Sequence, residues 1–106
     1  MKTSAKDIEF YRENGAVVIR GLFSRADLSL LERGIARNMA EPSPLSIVAS
    51  QPEDPGYFIE DFCNWQRIPE YREFVEHSPA AAAAGQLMGC KTLRLYHDHL
   101  LVKEPK

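Results

Sequence analysis

The chain has 106 residues, of which 44% are hydrophobic and 26% charged, and this composition is typical of one folded domain with a modest core. A formal net charge of -2 gives no basic field for non-specific nucleic-acid binding. The sequence also contains no uncharged run of membrane-span length, and the polar residues 1–7 do not resemble a signal peptide. We therefore expect a cytoplasmic protein with no nucleic-acid or membrane partner.

The first forty residues predict two capped helices with a strand between them. Ser4, with Asp7 three positions later, begins a helix that runs to Asn14. Residues 16–19 are apolar and include three β-branched side chains, which predicts a strand buried on both faces. Ser24 begins the second helix, whose apolar residues recur at helical spacing: Leu28, Leu31, Ile35 and Met39.

The middle of the chain predicts a loop, an aromatic segment and two short helices. Residues 41–56 hold four of the seven prolines together with several serines, which is typical of a surface loop. Residues 57–65 are rich in aromatic side chains and fit either an extended segment or a turn of helix. Two helices are then expected, one over residues 69–77 that begins with a proline and one over residues 78–88.

The last strand pattern, over residues 91–103, places His97, His99 and Lys103 on one face and Asp98 on the other. Two imidazoles on one face of a strand can provide two ligands of a metal site, but a transition metal needs at least a third ligand. We therefore favour imidazoles that line a pocket or form hydrogen bonds, with metal ligation as the alternative. Lys103 is either a solvated side chain or a cation that binds a carboxylate beside them.

The remaining reactive side chains predict no further site. Cys63 and Cys90 lack the Cys-x-x-Cys spacing, so we expect reduced, buried thiols. Glu60 and Asp61 are adjacent and do not converge in an extended chain, so we expect solvated charges rather than an acid and base pair. Four helices with only two or three strands indicate an incomplete sheet, as in the N-terminal part of a larger α+β or β-barrel enzyme.

Two segments resemble the phytanoyl-CoA dioxygenase family. Residues 10–24 read FYRENGAVVIRGLFS, and the opening of these proteins is similar: a helix ending in Asn-Gly or Asp-Gly, a Val-Val-hydrophobic-Arg-Gly strand, and then a helix. Residues 93–105 read LRLYHDHLLVKEP, which resembles the family strand that ends in Lys-x-Pro. The resemblance spans nearly the whole chain.

This resemblance implies an α+β chain that forms the N-terminal helical and first-strand portion of a double-stranded β-helix, a jelly-roll or cupin-like barrel that residues 1–106 leave incomplete. Family members are Fe(II)- and 2-oxoglutarate-dependent oxygenases whose iron is held by a His-x-Asp motif and a distal His. That motif follows the Lys-x-Pro segment, so the resemblance places the iron ligands beyond Lys106. Residues 97–99 lie on the preceding strand, so neither metal ligands nor catalytic residues are carried over to this chain.

The resemblance further implies an N-terminal fragment of an oxygenase that hydroxylates a small organic or acyl-CoA-type substrate. His97, His99 and Lys103 would line the cavity for 2-oxoglutarate and substrate, and the fragment alone would be inactive. Position and composition alone, rather than the resemblance, suggest residues 41–65 as a lid, and this point is left open. Two alternatives stay open. One is a small non-catalytic binding or interaction module, and the other is a small cupin-like metal protein that uses His97 and His99.

Overall fold

The structure is a computed structural model that describes residues 3–105, in which four helices accompany a three-stranded sheet. The helices are α1 (Ala5–Asn14), α2 (Arg25–Ala40), α3 (Pro69–His77) and α4 (Ala80–Met88), and the strands are β1 (Ile47–Val48), β2 (Tyr57–Phe62) and β3 (His99–Glu104). Within the described range, no helix is both long enough and apolar enough to cross a lipid bilayer.

Local capping signals set the helix ends, and they confirm the predicted helices. The Ser4 hydroxyl accepts the backbone N–H of Asp7 at 3.1 Å, and the Asp7 carboxylate accepts the N–H of Ser4 at 2.9 Å. Ser24 and Asp27 form the same reciprocal pair at the start of α2. These pairs satisfy backbone donors that the first helical turn leaves free. Gly89 ends α4 in the left-handed conformation, with a φ of 68°.

The sheet is antiparallel with the order β1-β2-β3. The aromatic segment after residue 56 is therefore a strand as far as Phe62, which decides between the two predicted possibilities. β1 has only two residues, and most of the proline-rich segment 41–56 has no regular structure, as expected of a loop. Gly56 lies directly against β3, because a Cβ added there would be 2.5 Å from the backbone oxygen of Glu104.

Two strand predictions are wrong. Residues 16–19 form no strand and are not buried, with Val18 71% exposed. The terminal strand begins only at His99, because residues 92–98 have no regular structure. A strand requires a neighbouring strand to accept its backbone hydrogen bonds, and within residues 3–105 neither segment has one.

Helices α2 and α3 pack against each other on one side of the sheet. Gly34 permits their close approach, since a Cβ there would lie 2.7 Å from two ring carbons of Tyr71. The Arg37 guanidinium donates two hydrogen bonds to the Glu70 carboxylate, at 2.9 and 2.8 Å. The hydrogen bonds from Arg37 lower the pKa of Glu70 to about 2. Close packing and a bidentate ion pair thus both hold the two helices together.

The chain exposes more surface than a compact domain of its mass. Its accessible area is 7910 Å² for 12.0 kDa, whereas a compact monomer exposes about 6,000 Å². Its radius of gyration is 16.1 Å, against about 13 Å expected for this length. Among residues 3–105 the buried apolar side chains are few: Ile59, Ile68, Tyr71 and Ala83. Much apolar surface is therefore left exposed.

Candidate functional site

The register of the sheet gives it two chemically different faces. Phe62 pairs with His99, Glu60 with Leu101 and Phe58 with Lys103, so these six side chains project to the same side. Ile47 of β1 joins them through its pairing with Glu60. We call this set the open face, because Leu101 is 56% and Ile47 52% exposed.

The opposite side, here called the covered face, carries Ile59 and Asp61 of β2 and Leu100 and Val102 of β3. Ile59 and Asp61 are buried. Leu100 lines a hollow of about 270 Å³ together with Leu31 of α2 and residues of α3, which places the helix pair over this side. By the register of the sheet, the predicted pocket-wall residues in β3, His99 and Lys103, project to the other side, although His99, at the start of the strand, also lines the edge of this hollow.

The imidazole of His99 is oriented by two residues of the neighbouring strand. Its Nε2 lies 3.1 Å from Oε1 of Glu60, the diagonal neighbour across the pair of strands. Its ring stacks on Phe62 with centroids 4.2 Å apart and an angle of 25° between the planes. One third of the side chain stays exposed. The imidazole is therefore oriented and accessible, and it rests on the ring of Phe62.

His97 is placed differently from the prediction, since it precedes β3 and follows no strand alternation. Its ring meets Tyr96 edge to face at 4.9 Å. With Leu45, Phe62, Cys63 and Tyr96 it lines a shallow open hollow. Phe62 thus lies beside both imidazoles, and it links this hollow to the open face.

Lys103 shares the open face with His99 but not its position. The two residues are four positions apart in β3, which separates their Cα atoms by about 13 Å. Leu101 lies between them on the same face. The ammonium and the imidazole are therefore not adjacent, contrary to the sequence-based expectation that they lie side by side at one carboxylate.

Asp98 fixes the start of β3 to the turn after β2. Its carboxylate accepts the backbone N–H groups of Asn64 at 3.0 Å and Trp65 at 2.9 Å. Its carbonyl oxygen accepts the N–H of Cys63 at 3.0 Å, and Cys63 has a left-handed φ of 60°. We call these three hydrogen bonds the Asp98 latch. They hold His97 and His99 on either side of a fixed point.

Asp61 is the important residue that the sequence pattern missed, and the expectation of a solvated charge is wrong for it. The residue is 1% exposed. Its carboxylate accepts Nδ2 of Asn38 at 2.8 Å, the N–H of Ser43 at 2.7 Å and the Ser43 hydroxyl at 2.5 Å. Burial on its own would raise the pKa of Asp61, but the hydrogen bonds from Ser43, Asn38 and Phe62 outweigh it and hold that pKa far below the usual value.

The same network reaches α3. The hydroxyl of Tyr71 donates to Oδ1 of Asn38 at 3.1 Å, so Asn38 connects the phenol to the Asp61 carboxylate. Burial raises the pKa of Tyr71 to about 12, with the negative charges of Asp98 and Asp61 adding to the effect. Tyr71 is therefore a neutral donor at physiological pH. The network ties both helices and the 41–46 loop to β2.

The described residues do not supply a metal centre. Across residues 3–105, no three His, Cys, Asp or Glu side chains are grouped closely enough to hold a metal ion. The carboxylate of Asp98 is occupied by the latch, and His99 is paired with Glu60. Both cysteines are exposed, contrary to the expected burial. The residues present thus do not fit an iron site of their own.

No protein-family model, curated protein or solved structure matches this chain.

Proposed function

We propose that the chain is part of an Fe(II)- and 2-oxoglutarate-dependent oxygenase of the phytanoyl-CoA dioxygenase type, with the open face as one wall of its ligand cavity. The division of the sheet into two faces carries this proposal. Helices cover one face, and the other presents an oriented imidazole, an ammonium group and aromatic rings. Such a sheet is suited to form one layer of a double-stranded β-helix, whose second layer encloses the ligand.

The residues of the open face divide the binding work between them. Lys103 offers a positive charge that suits a carboxylate of 2-oxoglutarate. His99, held by Glu60, offers a directed polar group to the substrate or to the same acid. Phe58, Phe62 and Leu101 provide apolar surface that excludes water from the substrate. The substrate class is a small organic or acyl-CoA-type molecule.

The iron ligands belong, in this proposal, to a His-x-Asp motif and a distal His beyond Lys106. Bound Fe(II) supplies the oxygen chemistry, and the described residues supply binding and orientation. The 106 residues alone should therefore not release succinate from 2-oxoglutarate. A cytoplasmic location fits the need for 2-oxoglutarate, and it stays a prediction.

The reading frame downstream of the Lys106 codon provides the first test. We expect a His-x-Asp within a short distance, and the protein expressed from that longer frame should form succinate from 2-oxoglutarate only with Fe(II). A frame without this motif, or a longer protein that forms no succinate with any of a panel of candidate substrates, would overturn the proposal.

Lys103→Met in the longer protein provides the sharper test. Loss of a charge-assisted hydrogen bond of about 1.5–3 kcal/mol should raise the KM for 2-oxoglutarate about tenfold to a hundredfold. Lys91→Met is the matched control, because Lys91 is exposed and lies outside the sheet. Equal KM values for the two variants would contradict the role of Lys103.

A non-catalytic interaction module is the second candidate, and the large exposed surface favours it. Thermal melting of the 106-residue chain separates the two. A complete module should unfold cooperatively as a monomer, whereas a part of an oxygenase should melt without a sharp transition or only as an associated species.

The metal-protein alternative is tested with Co(II). Calorimetric titration of the chain should give weak binding, because two imidazoles leave the coordination sphere unfilled. His97→Ala and His99→Ala should not change it. Tight binding of one Co(II) per chain, lost in both variants, would instead establish a cupin-like metal protein.

A further inference from the structure

The contact between His99 and Glu60 determines which nitrogen of the imidazole carries a hydrogen. Nε2 of His99 lies 3.1 Å from Oε1 of Glu60. An ionised carboxylate only accepts hydrogen bonds, so the imidazole is the donor and Nε2 carries the hydrogen. At pH 8, above the ordinary range of histidine titration, the neutral ring prevails, and its second nitrogen is then an acceptor. That nitrogen, Nδ1, forms no hydrogen bond within residues 3–105, so the ring has one unused acceptor.

Two contacts fix the direction of this ring. Stacking on Phe62, with centroids 4.2 Å apart and 25° between the planes, sets the plane of the imidazole. The hydrogen bond to Glu60 sets its rotation within that plane, because it holds Nε2 against β2. One third of the side chain is exposed, so a bound molecule can reach a ring whose orientation is already set.

Glu60 has two neighbours with which it could pair. It lies opposite Leu101, so His99 and Lys103 are both its diagonal neighbours on the open face. Its carboxylate contacts the imidazole, and Lys103 has no acidic partner in the part of the chain that the structure describes. The ammonium of Lys103 is therefore left for an acid from outside this segment.

We propose that Glu60 is a positioning residue that keeps His99 as the Nε2–H tautomer, so that Nδ1 accepts a hydrogen bond from a hydroxyl or N–H group of the oxygenase substrate. At pH 8, 2-oxoglutarate carries two carboxylates and a keto oxygen, which are all acceptors, so it has no hydrogen to give to Nδ1. Lys103 suits that acid instead. The inference rests on the proposed function and narrows its substrate to molecules that carry a hydrogen-bond donor.

Nitrogen NMR of the longer protein, with isotope-labelled histidine and Zn(II) in place of Fe(II), shows which ring nitrogen carries the hydrogen. At pH 8 the wild type should carry it on Nε2 of His99 only, with and without 2-oxoglutarate. Glu60→Ala should show a second population with the hydrogen on Nδ1. Glu60→Gln, whose carboxamide oxygen still accepts, should keep the single form. A hydrogen on Nδ1 in the wild type, or unchanged signals in Glu60→Ala, would overturn the proposal.

Paired substrates test the acceptor itself. The panel of candidate substrates should contain alcohols, each with a counterpart in which fluorine replaces the hydroxyl group. The alcohol should have the higher kcat/KM, by about twofold to tenfold for one hydrogen bond. His99→Phe should abolish this preference, and Glu32→Ala, exposed on α2, should keep it. A wild type without the preference, or a His99→Phe variant that retains it, would overturn the proposal.

The two measurements also separate this inference from the proposed function. The nitrogen signals of His99 do not depend on turnover. A longer protein that forms no succinate would overturn the oxygenase and the substrate assignment with it. A hydrogen on Nδ1 in a protein that does form succinate would overturn the role of Glu60 alone.

Discussion

The two faces of the sheet use neighbouring residues of β2 in opposite ways. On the covered face, Asp61 is buried with three hydrogen bonds from Asn38 and Ser43. On the open face, the adjacent Glu60 contacts one partner, His99, across an accessible surface. Two consecutive acidic residues thus have different environments, because side chains alternate along a strand.

Within this single strand, the covered face contributes to stability, whereas the open face is the one for which we propose ligand binding. The covered face is connected to both helices and to the loop, so changes there disturb the whole fold. The open face has few contacts, so its side chains are free to bind a ligand. Mutations on β2 should therefore alternate in effect from one residue to the next.

The largest effect is expected for Asp61→Ala. The variant leaves donors at Asn38 and Ser43 without their acceptor and should lower the free energy of unfolding by about 3–5 kcal/mol. Glu60→Ala is the matched control and should cost less than about 1 kcal/mol. Urea denaturation of the longer protein, in which this and the following variants are made, measures both free energies, and similar values for the two would contradict the contrast between the faces.

Mutations of apolar residues on the covered and the open face should also differ in their effect on stability, but by less than the acidic residues do. Ile59 is 4% exposed, so its change to alanine should lower the free energy of unfolding by about 2–4 kcal/mol. Leu101 on β3 is 56% exposed, so the same change there should lower the free energy of unfolding by less than about 1 kcal/mol. Urea midpoints of Ile59→Ala and Leu101→Ala decide the point. A larger loss for Leu101 would mean that the open face is covered in solution.

Gly34→Ala tests the close approach of α2 and α3. The added Cβ would lie 2.7 Å from the Tyr71 ring, so the ring must move, and overpacking of this kind costs about 1–3 kcal/mol. Helix propensity alone predicts the reverse, a gain of about 1 kcal/mol. Thermal melting should show a lower transition temperature, and a higher one would mean that Tyr71 adapts freely.

The smallest expected effect is on the loss of stability at acidic pH. The pKa of Glu70 in the folded chain is about 2, below its usual value of 4.5, because Arg37 donates hydrogen bonds to it. The lowered value means that Glu70 stabilises the fold fully above pH 4.5 and loses this contribution as the pH falls toward 2. Glu70→Gln should therefore show a flatter decline of stability with acid.

The control for this experiment is Glu76→Gln, since Glu76 lies 3.8 Å from Arg72 on the surface. It should follow the wild-type decline between pH 5 and pH 3. If Glu70→Gln follows the wild type as well, Arg37 does not stabilise the folded chain through Glu70.

The sequence predicted the helices well because their ends depend on local residues. Ser4, Ser24 and Pro69 act within one turn, and each begins a helix as expected. Residues 16–19 have equally clear strand composition, yet they form none, because a strand also needs a partner that composition does not specify.

The candidate site was predicted in part for the same reason. Two-residue alternation placed His99 and Lys103 on one face, and the structure agrees. It failed for His97, which lies before the strand begins. The burial of Asp61 depends on Ser43 and Asn38, which are 18 and 23 positions away, and no local pattern indicates such partners.

The register of β2 and β3 has a consequence for the order of folding. The paired residues are between 37 and 47 positions apart, whereas the capped helices need only local contacts. Bringing distant segments together is the slow part of folding. On a ribosome, α1 and α2 are complete before residues 99–104 exist, so β2, the central strand, pairs with β3 late, and the Asp98 latch also forms late. The open face accordingly takes shape after α1 and α2 have formed.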